Sequence, residues 1–477
     1  MYLTAIVVYL GVLVVVGARQ SRHVRTGDDF LVAGRTLPAR VLVFTLLATW
    51  IGSGSLFAGA GLGYRVGFPA LWQSAGAWVG IALIYFIAPR VRRLAQYTVP
   101  DILEIKYGPA ARVLGTLTTV LAYTTIAAYQ FRGGGRLLEI VAGIDPRTGA
   151  LMTAAFCVAY TARAGMLSIA YLDVGNGSVM VIGVSLAVAF LVSDGGGVAS
   201  AVAALRPEQV SLFGELSPQR ALALFFPTLF LLLGEANMYQ KFFSAKSERA
   251  ARMAVVGWIV VTIVVETLID SIGVFGSVAV PGLATAASES IVIRVALETL
   301  PTAFGVILVC GAAAIVVSTA NSFLLTPATN IIRDVYQRFI NPAAPDRLIL
   351  VYTRMIVVAL GVVGYVAGNF FPTILTMALW AYTMYGAGIT PALLAALVWP
   401  RATRPAGVLS ILVGMLTTLV WEIVGMQRAV DGTAVYPLGL ETVFPALALS
   451  ILTLVGVSLL TPPSAADRTA GAPARAV

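Results

Sequence analysis

Charge is what this sequence has least of. Only 11% of its 477 residues are Asp, Glu, Lys or Arg, against about 25% in a soluble globular domain. Length alone would fit roughly three soluble domains. With 59% hydrophobic residues and a mean hydropathy of +0.91, one polytopic membrane domain is the better reading. Cysteine is almost as scarce. Cys157 and Cys310 both lie in apolar runs, which excludes a disulfide framework and leaves no metal-ligand spacing. The single histidine, His23, sits in a basic stretch, so a histidine proton relay has no basis. No GK[ST] phosphate loop occurs, which removes ATP-driven transport. Gly59, Gly61 and Gly63 imitate a dinucleotide fingerprint only in letters, because they lie in an apolar run without strand–turn–helix context. No enzyme chemistry is therefore expected. The net charge of +9 comes from basic residues scattered among short loops, a positive-inside pattern rather than a nucleic-acid surface.

What is present is a succession of apolar runs. Measured against ~20 residues per bilayer-spanning helix, about thirteen spans are predicted. They cover residues 2–18, 41–63, 68–88, 112–141, 150–168, 172–193, 221–242, 253–280, 302–330, 348–368, 373–398, 406–425 and 442–460. The first lacks a basic leader and is followed by Arg19, Arg22 and Arg25, which favours an uncleaved helix with its N-terminus outside. Basic residues then recur on the cytoplasmic side: Arg35 and Arg40; Arg90, Arg92, Arg93 and Lys106; Lys241, Lys246, Arg249 and Arg252; Arg333, Arg338 and Arg347; Arg401 and Arg404. An odd number of spans places the C-terminus inside the cell, with a Pro/Ala-rich tail after Thr461 that reads as disordered. An integral inner-membrane protein follows, with the bilayer as its surroundings, no nucleic acid and no obligate protein partner.

Spans two to six and seven to eleven form two groups of five. Each group opens on an interrupted span, at Gly52-Ser53-Gly54 and at Gly234-Glu235-Ala236-Asn237. The odd count inverts the second group, which fits inverted repeats whose broken first helices meet near the midplane, as in secondary transporters. The alternative is that glycine merely serves close helix packing. Broken backbone at membrane depth is tolerated where it lines a buried site. Ala48 and Ile51 precede the first break, so their carbonyls lose their helical donors. Ser318 and Thr319 offer adjacent hydroxyls in the ninth span, with the Ile315 carbonyl one turn earlier. Such oxygens suit a hard cation such as Na⁺; equally, the hydroxyls could bond back to their own helix.

Several stretches carry a resemblance. DDFLVAGRTL follows the first helix, YTVPDILEIKYG the third, and YTARAGMLSIAYLD leads to Asp173. NMYQKFFSAKSERAAR follows the seventh span, STANSFLLTPATNIIRDVYQRF closes the ninth, and WPRATRPAG follows the eleventh. Together they resemble the sodium:solute symporters, a family containing sodium/proline, sodium/galactose, sialic acid and pantothenate carriers, over nearly the whole chain. The resemblance implies a LeuT-type fold of ten core helices in two inverted repeats (residues 41–400). An extra N-terminal segment (1–40), two peripheral helices (401–460) and a cytoplasmic tail (461–477) complete the chain. It also implies a sodium site at Ala48, Ile51, Ile315, Ser318 and Thr319, with Asp173 near the cytoplasmic sodium exit. Three departures stand out. Some members carry a serine and a second sodium where this chain has Ile315. Trp50 replaces an Asp or Asn of the proline- and galactose-type carriers. Leu231 and Ser74 stand where galactose-type carriers have a gating tyrosine and an acidic sugar-binding residue.

For the solute, core-facing candidates beside the breaks are Ser53, Ser55, Gln73, Ser74 and Thr228. Arg132, inside a long apolar span one turn before Arg136, is expected to clamp a carboxylate, since its planar fork suits one. Alternatives are an ion pair with Glu266 or Asp270, or snorkelling outward. Glu235, at the second break, either steers cations or protons or satisfies freed amides. Glu422 is expected to be solvated, and Gly133-Gly134-Gly135 to permit close packing. The expected function is sodium-coupled symport of a carboxylate, amino acid or acidic sugar by alternating access. A proton-coupled carrier using Glu235 or Glu266, or a non-transporting sensor, remains open.

Overall fold

The computed structural model describes residues 1–21, 32–94, 96–163, 166–428 and 434–462. Arg22, His23, Arg25, part of the first family-like stretch and the segment 463–477 lie outside them.

The chain runs as helices α1 (Tyr2–Ser21), α2 (Ala39–Trp50), α3 (Gly54–Val66), α4 (Leu71–Leu94), the short α5 (Val99–Tyr107), α6 (Pro109–Ala142), α7 (Pro146–Thr161) and α8 (Met166–Asp194). There follow α9 (Pro218–Gly234), α10 (Ala236–Ser244), α11 (Glu248–Ala279), the short α12 (Ile291–Glu298), α13 (Thr302–Asn330), α14 (Asp346–Ala367), α15 (Ile374–Gly388), α16 (Thr390–Val398), α17 (Arg404–Gln427) and α18 (Val443–Leu460). Every predicted span falls on a helix. Among the described residues, 10 helices are long and apolar enough to cross a bilayer, and α2 with α3 forms an eleventh, bent by 55°. The remaining two predicted spans correspond to α1, whose apolar stretch Tyr2–Gly17 is shorter, and to α7, which begins at Pro146 rather than Ala150 and ends at Thr161.

Burial separates the helices into an inner set and a lipid-facing set. Residues Thr302–Ile340 are 78% buried over their most apolar window, and Ile374–Val398 likewise, against 33% for Val443–Leu460. A helix apolar all round, such as α13, belongs in the middle of a bundle, and it packs there against α6 and α8. Gly133, Gly134 and Gly135 let α6 lie tightly on its neighbours. A Cβ on Gly134 would come 2.4 Å from the Thr153 side chain, and one on Gly135 would come 2.5 Å from the Pro146 carbonyl. At one end, Arg112 of α6 gathers Asp101 (2.5 Å), Asp334 (2.8 Å) and Glu104, and Arg338 reaches Glu104 at 2.9 Å. Burial alone would push the Glu104 carboxyl up, but the hydrogen bonds from Arg338 and Arg112 hold it below the usual carboxylate value.

Two sequence expectations change here. Lys241, counted among the basic residues of the cytoplasmic side, is 0% exposed inside α10. Glu422 is buried rather than solvated, accepting from Thr442 Oγ1 (2.7 Å) and Tyr436 OH (3.1 Å).

Candidate functional site

The two breaks differ in how their freed backbone is satisfied. At the first, Ile51 leaves the helix with ψ of 115°, and helical turns resume only at Gly54. The Ser53 amide donates to Gln130 Oε1 of α6 at 2.8 Å. The carbonyls of Ala48 and Ile51 point instead to α13. Thr319 Oγ1 donates to the Ile51 oxygen at 2.9 Å and to the Ala48 oxygen at 3.2 Å, and Ser318 Oγ reaches Ala48 at 3.2 Å. The hydroxyls therefore reach across to the broken helix. At the second break, Glu235 takes ψ of 113° and caps α10, accepting from the Met238 amide (2.9 Å), the Asn237 side chain (2.8 Å) and Tyr123 OH (2.5 Å). Of the two readings of Glu235, satisfaction of freed amides is the one the geometry displays.

Asp173 of α8 closes the first cluster. Its carboxylate accepts from Ser318 Oγ at 2.5 Å and Thr45 Oγ1 at 2.5 Å, and it is 1% exposed. Ile315 is buried one turn before Ser318 on the same helix. Next to this cluster stands Lys241, whose Nζ donates to Thr49 Oγ1 at 2.7 Å while Thr49 meets Ser322 at 3.1 Å. The ammonium thereby links α10 to α2, and through Thr49 to α13; its charge acts on both Asp173 and Glu235. Lys241, Thr45, Thr49 and Ser322 escaped the sequence reading. A lysine beside a loop reads as solvated, and lone hydroxyls in apolar helices carry no pattern. The cluster of buried carbonyl, hydroxyl and carboxylate oxygens fits a hard monovalent cation in chemistry. Among the described residues no group of three or more His, Cys, Asp or Glu could hold a metal ion.

A second feature lies a few residues along the same break. Trp50, Ser55, Gly59, Gln73, Ser74, Thr228, Glu266 and Tyr382 line a small internal cavity of about 10 Å³, room for about one water. Four of the predicted solute residues, Ser55, Gln73, Ser74 and Thr228, are thus brought together. Ser53 is not among them: its side chain packs against α6, where a Cβ on Gly133 would come 2.2 Å from its Oγ. Nor is Arg132. Its guanidinium donates to the carbonyls of Phe371 (2.7 Å), Pro372 (3.1 Å) and Gly368 (3.3 Å), in the turn between α14 and α15. It borders a separate cavity with Arg136 and Arg147. Neither suggested ion pair forms. Glu266 accepts from the indoles of Trp50 (2.8 Å) and Trp78 (2.7 Å), and Asp270 from Ser74 Oγ (3.1 Å). Three unsatisfied carbonyls at a helix–turn junction attract a guanidinium as well as a carboxylate does, and only the fold says which is near. Leu231 is buried and does not line the cavity.

Helices broken in their middle, meeting inside a bundle and flanked by buried oxygens, define an ion-coupled secondary transporter. Solved structures agree on the fold. A Na⁺-coupled sialic acid symporter in a substrate-bound outward-open state aligns with a TM-score of 0.78 at 16% identity, covering 97% of this chain and 98% of that one. The nucleobase-cation-symport-1 transporter Mhp1 in a closed conformation aligns with a TM-score of 0.60 at 13% identity, over 93% and 97% of the two chains. The fold is of the LeuT type. The profile of the sodium:solute symporter family matches residues 30–414, and the chain belongs to that family. Among its relatives are the osmoregulated proline transporter OpuE of Bacillus subtilis (24% identical, 95% of this chain and 94% of the relative) and the high-affinity proline transporter PutP of the same organism (25%, 91% and 92%). A Staphylococcus aureus sodium/proline symporter is 25% identical over 96% of this chain and 92% of its own. The protein is thus an integral multi-pass membrane transporter coupling sodium to a small solute, not an enzyme.

Proposed function

We propose that sodium binds between the carbonyls of Ala48, Ile51 and Ile315 and the hydroxyls of Ser318 and Thr319, and drives inward transport of a small organic solute held in the cavity at Trp50, Ser55, Gln73, Ser74 and Thr228. The observation that carries this is the approach of Thr319 Oγ1 to both freed carbonyls of the first break. Each ion entering down the membrane potential contributes about 2.3 kcal/mol per 100 mV. Bound sodium would hold α2 against α13 and fix the break, which also carries Trp50 and Ser55; the solute wall is then set by the ion. Loss of the ion would return Ser318 to Asp173, the group nearest the proposed exit.

The ten-helix core spans residues 41–400, with residues 1–40 and 401–460 peripheral to it. The basic ends of the helices argue for a cytoplasmic C-terminus and an external N-terminus in a bacterial inner membrane. Arg132 lends no support to a carboxylate clamp at this cavity, whereas an amino-acid solute accords with the proline-transporting relatives. Purified protein in liposomes, with labelled proline or other metabolites supplied outside under an inward Na⁺ gradient, a K⁺ gradient or a proton gradient, tests the reading. Accumulation is expected only with inward Na⁺. Accumulation driven equally by protons without Na⁺ would replace this reading with a proton-coupled carrier, and stable binding with no flux under any gradient would make it a sensor.

A further inference from the structure

At the cavity of the first break acidic side chains stand without basic ones. Glu266 lines it, and Asp270 stands directly behind two lining residues. Ser74 donates to Asp270 Oδ2 at 3.1 Å, and a Cβ on Gly59 would come 3.0 Å from Asp270 Oδ1. Both carboxylates are nearly fully buried, at 3% and 2% exposure. Among the described residues neither has an ion-pair partner. Their neighbours are two indoles and a serine hydroxyl, which are neutral donors. None of the eight lining residues is a lysine or arginine. Buried carboxylates ordinarily sit beside a cation, because an unpaired buried charge is costly.

A second, independent observation comes from Gln73. Its side chain lines the same cavity, is 6% exposed, and its Oε1 has no hydrogen-bond partner among the described residues. A buried carbonyl oxygen of this kind awaits a donor. Two further lining residues are aromatic: Trp50 and Tyr382 are stacked at 6.5 Å between ring centroids with 28° between their planes. Carboxyl and amide acceptors gathered with aromatic rings make a surround for a positively charged nitrogen. A solute carboxylate placed beside Glu266 would find no charged donor.

Resting on the symport reading above, we propose that the solute carries a cationic nitrogen, as a primary, secondary or quaternary ammonium. That nitrogen lies among Glu266, the Gln73 carbonyl and the rings of Trp50 and Tyr382, with Asp270 reinforcing the field through Ser74. The solute enters when the walls part, since the closed cavity has room for about one water.

Thermal stability of the purified protein in Na⁺ and in K⁺ tests this with stated probes: choline, proline, the neutral carbon isostere of choline, galactose and propionate. The expected result is a sodium-dependent gain in Tm with choline or proline, and none with the isostere, galactose or propionate. Glu266→Gln, nearly isosteric, should weaken the ammonium probe at least about tenfold, the scale of a lost hydrogen bond to a charged group, while the gain in Tm from Na⁺ alone persists. Gln73→Met serves as the second variant if Glu266→Gln does not fold, and should weaken the same probe with Na⁺ stabilisation intact. Preference for propionate, galactose or the neutral isostere, no response to either ammonium probe, or unchanged affinity in the folded variants would overturn the cationic solute. Retained sodium stabilisation in that case leaves the symport reading standing; its loss in the wild-type protein would remove that reading instead.

Discussion

Replacing both Ser318 and Thr319 by alanine should abolish the response to sodium. The structure sets the scale. Each hydroxyl has one proton to donate. Thr319 shares its proton between the freed carbonyls of Ile51 (2.9 Å) and Ala48 (3.2 Å), a contribution of about 0.5–1.5 kcal/mol. Ser318 has the Ala48 carbonyl at 3.2 Å and Asp173 at 2.5 Å, and its bond to the charged group is worth about 1.5–3 kcal/mol. Together, the ion-free protein loses roughly 2–4.5 kcal/mol, a serious fraction of the about 5–15 kcal/mol that holds a native protein together. The single variants Thr319→Val and Ser318→Ala divide that loss and keep the experiment readable. Sodium linkage is the second scale. An ion at a hundred times its Kd stabilises the protein by about 2.7 kcal/mol, and two of the five proposed ligands would be gone. The assay is Tm across a sodium series at constant ionic strength with K⁺ as balance, paired with uptake in liposomes. Wild type should gain Tm with Na⁺, Thr319→Val should need far more Na⁺ for the same gain, and Thr319→Ser should restore it. If a folded double variant shows the wild-type sodium dependence in both assays, the ion is not held here and the mechanism fails.

Other perturbations probe the surroundings. Lys241→Met removes the buried donor to Thr49 and leaves Asp173 and Glu235 without their nearby positive charge; the loss should exceed about 1.5 kcal/mol, and an unchanged Tm would refute the cross-tie between α10 and α2. Arg132→Ala should lower Tm through its three lost carbonyl contacts, and a tenfold change in solute KM would instead return it to the solute site. The latch of Glu104 with Arg112 and Arg338 has an acid limb. Because the folded-state value of Glu104 lies below its unfolded value, its stabilisation is complete above the unfolded value and disappears as pH falls through the folded one. Glu104→Gln should flatten that limb of the Tm–pH curve, and an identical acid limb would show that the latch contributes nothing.

Much of this architecture was legible because lipid imposes simple rules. Apolar run length located the helices, and interrupted runs at Gly52 and Glu235 marked the breaks, since lipid-facing backbone cannot be left unpaired. The oxygens of the proposed sodium cage were legible by resemblance, and the fold then joined Thr319 to Ala48 and Ile51. What failed shared one cause: sequence gives depth along a helix but not the direction a side chain faces. An ion pair between Arg132 and Glu266 is open from the sequence, yet one side chain meets the α14–α15 turn and the other Trp50. Lys241 counts by its charge with the cytoplasmic end of its span, yet it turns inward to Thr49. Ser53 was counted with Ser55, although a residue beside a break can face either way. That Glu266 joins Ser55, Gln73, Ser74 and Thr228 in a lining without a base could not be read, because the members come from α4, α9, α11 and α15 as well as from the first break.

That lining and the sodium cage share one short piece of backbone, and this limits how coupling can work. The Ala48 and Ile51 carbonyls face α13, while Trp50 and Ser55, interleaved with them or just beyond, wall the cavity. No long relay is needed. A displacement of the break moves both sets at once, so an ion that fixes the carbonyls also fixes the aromatic wall. The coupling must then be reciprocal: the factor by which Na⁺ tightens the solute equals the factor by which the solute tightens Na⁺. Charge alone works against this if the solute is a cation, because two positive species at neighbouring sites repel. On the proposed assignment the carboxylates have to be divided, and Asp173 does contact Ser318 and Thr45 beside the freed carbonyls while Glu266 and Asp270 stand at the cavity. Each proposed cation would then have an acidic group near it, so that the shared break can favour both together.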